Sequence, residues 1–144
     1  MTISIKCNDS LLIISTTHFP VADHSTLGLF DHELSYIGDI NEIENTRNYL
    51  DRLISIIRSI NRPLIFTADL NNARGEYVYD TLAHELIDIV PDTVISTIDP
   101  KLHRCPNLNL LVDTIMISSN ISVDEFEIIE GVSDHKALIV SLNI

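Results

Sequence analysis

A predicted helix in this sequence leads directly into a buried strand and then into a polar loop, and this order restricts the fold to a few classes. Apolar residues recur at helical spacing from about Ile43 to Ile60. Asn61-Arg62-Pro63 ends the helix, because proline cannot continue its hydrogen-bond ladder. Leu64–Ala68 is a buried strand that continues into Asp69-Leu70-Asn71-Asn72. This is the second half of a β-α-β unit, so the sequence predicts an α/β fold.

Further apolar runs predict additional strands and a second helix. Two strands, Ile3–Cys7 and Leu11–Thr17, are expected to form a hairpin, and Val21–Ile40 is expected to be mostly loop. The second helix is predicted at Glu76–Glu85. The other predicted strands are Thr93–Ile98, Leu111–Ser118, Ser122–Ile129 and Ala137–Leu142. Together these elements predict a single domain over residues 1–144, built on a mixed β-sheet with helices on one face.

The composition restricts the classes of function. The net charge of −12 argues against tight, sequence-independent binding of duplex nucleic acid, since such binding depends on Lys and Arg. An acidic protein that handles phosphates would need a metal ion to reverse the local field. Cys7 and Cys105 form no disulfide framework, no apolar run is long enough to span a membrane, and a signal-peptide pattern is absent. We therefore expect a soluble cytoplasmic protein with no membrane partner.

Polar side chains recur where the apolar strands end, which is where open α/β sheets place ligands. His18 ends the second strand, and Asp69 and Asn71 follow the third. Asp113 interrupts a later apolar strand, and Asp134-His135 precede the last one. If the carboxylates converged, their repulsion would raise their pKa values unless a hard cation lay among them. Oxygen ligands of this kind suit Mg²⁺ or Mn²⁺.

Each of these residues also has a purely structural interpretation. His18 could pack or cap at a strand end. Asp69 and Asn71 could form a turn by bonding their own backbone, and residues 133–135 could close a loop. Asp113 is different, because a carboxylate inside a buried strand is costly unless it is paired. The histidines expected to be ordinary surface residues are His84 and His103.

Four short motifs occur in a specific order along the chain. They are Thr17-His18-Phe19, Ala68-Asp69-Leu70-Asn71, Val112-Asp113-Thr114-Ile115 and Ser133-Asp134-His135. In that order, the endonuclease/exonuclease/phosphatase family has approximately N-T-H-L, G-D-F-N, I-D-Y-I and S-D-H, and the chain resembles this family over essentially its whole length. The fold that the resemblance implies is one half, the C-terminal half, of the four-layer DNase I-like α/β sandwich.

The resemblance implies a metal-dependent phosphoesterase, of nuclease or phosphatase type, that hydrolyses a phosphodiester or phosphomonoester with activated water. Asp69 would orient the water, and Asn71 would hold the phosphate and the nucleophile. His135, oriented by Asp113, would stabilise charge on a phosphate oxygen. The implied catalytic residues are Asp69, Asn71, Asp113, His135 and His18, the last as a second phosphate contact. The implied ligands of Mg²⁺ or Mn²⁺ are Asp134 and Asp69.

The N-terminal half of the family fold has no match in this sequence. That half supplies the glutamate that is usually the principal magnesium ligand, and Glu33, Glu42 and Glu44 lie in the wrong context to replace it. A half-sandwich leaves an apolar sheet face exposed, and such a face is an association site. We therefore expect a homodimer or a second chain that supplies the missing half.

Two functions remain open from the sequence. The first is a hydrolase acting on a phosphate ester, with nucleic acid among the candidate substrates. It is favoured by the presence of all the motif residues together. The second is a catalytically inactive half-fold, or a split-enzyme subunit, that acts as a binding or assembly module. It is favoured by the missing glutamate.

Overall fold

The computed structural model describes residues 2–7, 10–19 and 40–144, with side chains from 12–19 and 44–144. In chain order its elements are β1 (Thr2–Cys7), β2 (Ser10–His18), α1 (Ile40–Ser59), β3 (Leu64–Asp69), α2 (Tyr77–Ala83), β4 (Ile87–Asp88), β5 (Asp113–Ile117), β6 (Ser122–Ile129) and β7 (Ala137–Asn143). The predicted loop over Val21–Ile40 lies outside the described residues, apart from Ile40, which begins α1. Neither α1 nor α2 has an apolar stretch of the length needed to cross a bilayer.

Five strands form one mixed sheet in the order β1-β2-β3-β5-β4. β1 and β2 form the predicted antiparallel hairpin, β3 lies parallel to β2, and β5 lies antiparallel to both β3 and β4. The predicted α/β class and mixed sheet are therefore confirmed. β6 and β7 form a separate antiparallel pair, a second sheet that the sequence patterns did not distinguish from the first.

Both helices pack on the same face of the large sheet, as predicted. Alternate residues of β3, Leu64, Phe66 and Ala68, are buried on this face. They belong to a cluster that also contains, from the helices, Leu50, Ile54, Ile57, Val78, Tyr79 and Leu82. The opposite face carries a smaller cluster of Leu12, Ile117 and Ile121, against which Leu142 of β7 packs. The second sheet therefore covers part of this face through Leu142, while its Phe126 and Leu138 pack against the larger cluster.

The predicted strand at Thr93–Ile98 is wrong. The segment begins in a turn, and its bridge among the described residues is an isolated one between Ile98 and His135. Thr97 is held instead by loops distant in sequence: its N–H donates to the Leu110 carbonyl (3.0 Å), and its Oγ1 accepts from the N–H of Asp113 (3.1 Å). Because side-chain and single backbone bonds satisfy these groups, the segment needs no ladder with a neighbouring strand among the described residues.

Other predicted boundaries shift by one to three residues, the largest being the start of α1 at Ile40 rather than Ile43. α2 ends at Ala83 rather than Glu85, and β5 begins at Asp113 rather than Leu111. The chain after α2 forms the short strand β4, which the sequence patterns did not reveal, because two residues show no alternation. The new start of β5 matters for function, since Asp113 lies at the end of a strand and not inside one.

A partly buried polar network lies beneath α2. The Asp88 carboxylate accepts from Tyr79 Oη (2.7 Å) and Arg74 Nη2 (2.5 Å) through Oδ2, and from Thr114 Oγ1 (3.3 Å) through Oδ1. Arg74 Nη2 also donates to the Val90 carbonyl (2.6 Å). Burial is the main cause that raises the pKa of Tyr79 to about 12, so its hydroxyl remains a neutral donor at physiological pH.

Candidate active site at the ends of three strands

Three of the predicted site residues form a row across the large sheet. The register pairs His18 of β2 with Asp69 of β3, and Asp69 with Asp113 of β5. Paired residues of neighbouring strands project from the same face of a sheet, and Asp69 alternates with Ala68, which faces the helices. The row therefore lies on the face opposite the helices. His18 Nε2 is 3.4 Å from Asp69 Oδ2, although the His18 side chain is largely exposed.

Asn71 lies in the turn directly after β3 and joins this row. Its backbone N–H donates to Asp69 Oδ1 (3.0 Å), as the turn interpretation predicted. Its side-chain Nδ2 donates to the Phe19 carbonyl (2.8 Å) and lies 3.2 Å from His18 Nε2. Its φ of +46° is in the left-handed region, which Asn adopts more readily than most residues. Asn71 thus links the ends of β2 and β3.

His135 meets the row from the loop before β7. Its Nδ1 is 2.8 Å from Asp113 Oδ2 and 3.9 Å from Asp69 Oδ2. An ionised carboxylate only accepts hydrogen bonds, so Nδ1 carries the proton and Nε2 is left unprotonated in the neutral ring. Burial raises the pKa of Asp113, and the nearby Asp69 charge adds to this, while Thr97 and His135 oppose it. The predicted Asp-His pair is present.

The remaining predicted metal ligand, Asp134, lies at the outer rim of the site. It is exposed, and one of its carboxylate oxygens lies within 4.8 Å of ring nitrogens of both His103 and His135. Asp69, Asp113 and His135 form a second such group. Asp134 and Asp69 thus belong to different groups that share His135.

His103 lies beside the candidate site, although it was expected to be an ordinary surface residue. Its side chain is half-buried, and its ring centroid is 6.2 Å from that of His135. The two residues are far apart in sequence and come from different loops, so no short motif indicated their proximity.

Asp99 clamps these two loops together and was also missed. Its side chain is fully buried. Oδ1 accepts from Lys101 N–H (2.9 Å) and Oδ2 from Gly131 N–H (2.6 Å), while Asp99 N–H donates to the Asp134 carbonyl (2.9 Å). The Gly131 and Lys101 N–H groups lower the pKa of Asp99. The Asp99-Pro100 dipeptide is a turn signal, and it is the sequence feature that could have drawn attention to Asp99.

This lowered pKa predicts a pH-dependent contribution of Asp99 to stability. The stabilisation is present above the ordinary pKa of 3.8 and is lost as the pH falls through the lower folded-state pKa. In Asp99→Asn the side chain cannot ionise, and its amide NH₂ replaces an acceptor. The melting temperature should therefore fall below that of the wild type near neutral pH, and the difference should shrink below about pH 3.8.

Calorimetry across this pH range checks the prediction, with Asp124→Asn, on the exposed side of β6, as a charge-matched control. The control should track the wild type at each pH. A difference in melting temperature between Asp99→Asn and the wild type that does not change with pH would contradict the conclusion that the Asp99 carboxylate is ionised in the folded chain.

The donor chemistry of the row fits a hard divalent cation. Asp69 and Asp113 present carboxylate oxygens on neighbouring strands, and with His135 they form a compact candidate ligand group. Mg²⁺ in proteins is commonly held by one or two carboxylates while keeping several waters and binding substrate phosphate. Asp134 offers a further carboxylate at the rim. Of the glutamates considered as replacements, Glu44 is exposed on α1, and Glu33 lies outside the described residues.

Comparison with known proteins shows which solved structures share this architecture. No protein-family model matches the chain, and no curated protein is significantly similar in sequence. Among solved structures, the endonuclease/exonuclease/phosphatase from Bacteroides vulgatus aligns with a TM-score of 0.67 at 18% identity, over 95% of this chain and 51% of that one. The endonuclease domain of TRAS1, a telomere-specific non-LTR retrotransposon, aligns with a TM-score of 0.67 at 16% identity, over 99% and 63%.

A third solved structure has a different described activity. The mannosyl-6-phosphatase of Bacteroides thetaiotaomicron aligns with a TM-score of 0.55 at 16% identity, over 95% of this chain and 53% of that one. This chain therefore spans about half the length of the solved structures that it matches. It has the DNase I-like fold of the endonuclease/exonuclease/phosphatase structures, and it comprises about one half of that fold.

Proposed function

We propose that this chain carries the catalytic residues of a divalent-metal-dependent phosphoesterase. The observation that supports this is the convergence of His18, Asp69, Asn71 and Asp113 at one sheet edge with His135 from a distant loop. A structurally similar protein is described as a phosphatase and another as an endonuclease domain. Both activities cleave a phosphate ester, which is the substrate class that we propose here.

The proposed mechanism assigns proton handling to His135 and Asp69. Asp113 holds His135 in one tautomer, so that Nε2 faces away from the carboxylate and toward substrate. When protonated, this ring donates to a phosphate oxygen and stabilises the charge that develops there, while Asp113 stabilises the imidazolium. Asp69, half-buried at the centre of the row, orients the attacking water through a carboxylate oxygen.

In this proposal His18 binds the phosphate, and Asn71 positions His18 and the attacking water. Asn71 Nδ2 donates to the Phe19 carbonyl. The amide oxygen of Asn71 can therefore accept a hydrogen bond from a neighbouring donor and orient it. His18 is exposed at the strand end and so can reach a phosphate outside the row. Mg²⁺ or Mn²⁺, held by Asp69 in the group that it forms with Asp113 and His135, would supply the charge that neutralises the phosphate oxygens. Asp134 would remain a rim carboxylate outside that group.

Metal-stimulated hydrolysis tests the proposal. We expect the chain to cleave bis(p-nitrophenyl) phosphate, plasmid DNA or RNA when Mg²⁺ or Mn²⁺ is added, and EDTA to abolish the cleavage. Calorimetric titration should show Mn²⁺ binding that is lost in Asp69→Asn and kept in Asp51→Asn, an exposed carboxylate on α1. Metal-independent cleavage, or equal metal binding by both variants, would overturn the proposed metal site.

A second candidate function is that of an assembly module. It is favoured by the second sheet, which has two strands among the described residues. Among the described residues, β7 pairs only with β6. Ile129 and Ile139, which are 42% and 45% exposed, project from the face opposite Leu142, together with Glu125 and Glu127. A two-stranded sheet alone is marginally stable in water, and an unpaired strand edge can accept a further strand.

The two edges of this hairpin differ in their protection. β6 has an irregular register near Val123 and carries Asp124, Glu125 and Glu127, which are devices that discourage strand pairing. β7, with the sequence ALIVSLN, has no charged residue or proline. We therefore propose that β7 pairs with a strand from a polypeptide that carries the remaining half of the fold.

The solution mass of the 144-residue chain is the test of this assembly. Multi-angle light scattering should show an assembly once the complementary half is supplied, and Ile139→Lys should weaken it. A dimer of the chain alone would identify a second copy as the occupant. The assembly proposal would be contradicted by a monomer that hydrolyses phosphate esters equally fast with and without the complementary half.

A further inference from the structure

We propose that His103 is a substrate-binding residue, which donates a hydrogen bond to a phosphate oxygen beside His135. The inference rests on the proposed phosphoesterase function and adds a residue that none of the four sequence motifs contains. A ring nitrogen of His103 lies within 4.8 Å of both an Asp134 carboxylate oxygen and a ring nitrogen of His135. This spacing is close enough for one tetrahedral phosphate to contact both rings.

The hydrogen bonds of His103 involve its Nδ1. The Cys105 N–H donates to His103 Nδ1 at 3.0 Å, and the Cys105 carbonyl lies 3.2 Å from the same nitrogen. In the tautomer that the shorter of these contacts selects, Nδ1 bears the lone pair and Nε2 carries the proton of the neutral ring. A protonated Nε2 is a donor and cannot ligate a metal without releasing its proton. The group of His103, Asp134 and His135 therefore suits an anion held by His103, rather than a metal held by all three.

The position of His103 is fixed by the clamp around Asp99. His103 N–H donates to the Asp99 carbonyl at 2.9 Å, in the same loop whose start is anchored by the buried Asp99 carboxylate. Asp99 also bonds Gly131 and the Asp134 carbonyl on the second loop. The His103 ring is thus held beside His135 by backbone hydrogen bonds in both loops, and such preorganisation is what a binding site needs.

Basic residues concentrate around this position in an otherwise acidic chain. Lys101 and Arg104 flank His103, and Lys136 follows His135. Lys101 Nζ and Lys136 Nζ share Glu130, at 3.3 Å and 3.2 Å. The Asp99 and Asp134 carboxylates lie in the same two loops, so these cations are balanced by nearby anions. The observation that favours an anionic ligand is the pair of neighbouring imidazole rings, which can both donate when protonated.

Imidazole NMR tests the proposal without requiring turnover. The ring resonances of His103 and His135 should shift together and saturably when inorganic phosphate is titrated into the ¹⁵N-histidine-labelled chain, while those of His84 should not. In His103→Ala the apparent affinity for phosphate should fall by about 10- to 100-fold, the range expected for one hydrogen bond to a charged group. A His135 shift without a His103 shift, or undiminished affinity in His103→Ala, would overturn it.

Kinetics with bis(p-nitrophenyl) phosphate separates this inference from the proposed function. His103→Ala should raise KM by about 10-fold or more with a smaller change in kcat, and His103→Gln, whose amide nitrogen can stand near Nε2, should restore much of the loss. His84→Gln, on an exposed ring at the end of α2, is the control and should match the wild type. Full wild-type kinetics in His103→Ala would overturn the His103 proposal alone. No hydrolysis by the wild type would overturn the proposed function, and the phosphate titration would then decide the role of His103.

Discussion

Replacing His135 with alanine is expected to lower kcat for phosphate-ester hydrolysis by about 10²- to 10⁴-fold, the usual contribution of a positioned acid or base. The reason is that its ring, when protonated, would donate from Nε2 to a phosphate oxygen, and Asp113 fixes the orientation of the ring through a 2.8 Å contact at Nδ1. Steady-state kinetics with bis(p-nitrophenyl) phosphate and Mn²⁺ measures the loss. The matched control is His84→Ala, which removes an exposed imidazole from the end of α2.

Asp113→Asn refines the same experiment. The amide can offer its oxygen or its NH₂ to His135 Nδ1, so the tautomer is no longer fixed, and kcat should fall by about 10- to 100-fold, as for other groups that orient a functional histidine. The ¹⁵N shifts of the His135 ring should report the change in tautomer. The assigned roles are wrong if His135→Ala keeps wild-type activity while remaining folded by circular dichroism.

Removing the Asp88 carboxylate is expected to produce the largest loss of stability. Asp88→Ala leaves Arg74 without its close ion-pair partner and Tyr79 without an acceptor at 2.7 Å. The side chains of Arg74 and Asp88 are only 27% and 15% exposed, so water replaces the lost contacts poorly. Breaking a fully buried ion pair from one side costs about 3–5 kcal/mol. Because this pair is only partly buried and Arg74 keeps its contacts with Asp92 and the Val90 carbonyl, we expect a loss below that range, which is still a substantial fraction of the about 5–15 kcal/mol that stabilises a typical domain.

Asp92 provides a matched control for this experiment, because it contacts the same guanidinium. Its carboxylate lies 3.3 Å from Arg74 Nη1 but is fully exposed to solvent. Exposed pairs of this kind contribute little, so urea denaturation should show at most a small change in the free energy of unfolding for Asp92→Ala. If the two alanine variants unfold at the same urea concentration, burial is not the reason that the Arg74–Asp88 pair matters.

The sequence predicts the inner row of the site well, because strand ends can be recognised from apolar runs. His18, Asp69 and Asn71 each follow an apolar run directly, so their convergence depends only on which strands are neighbours. The helix between the strands makes β2 and β3 parallel, and this brings their carboxyl ends to one edge of the sheet. Asp113 joins the same edge because β5 runs antiparallel to β3 and begins there.

There is a physical reason why the outer part of the site could not be predicted from the sequence. His103 reaches His135 through contacts between two loops, and Asp99 holds those loops with a carboxylate that bonds two backbone N–H groups. Such contacts depend on local loop geometry and leave no periodic signal in the sequence. The separation of β6 and β7 into a second sheet was hidden in the same way, since alternation defines a strand but not its neighbours.

The row of His18, Asp69 and Asp113 ties this site to the alignment of three strands. Inserting or deleting a single residue in β2, β3 or β5 would shift that strand by one position and turn its site residue toward the helices. The sheet could still form with apolar side chains in the vacated positions, because both of its faces are largely apolar. Length changes should therefore be tolerated in the loops of this protein and not in its central strands, even where a folded product is recovered.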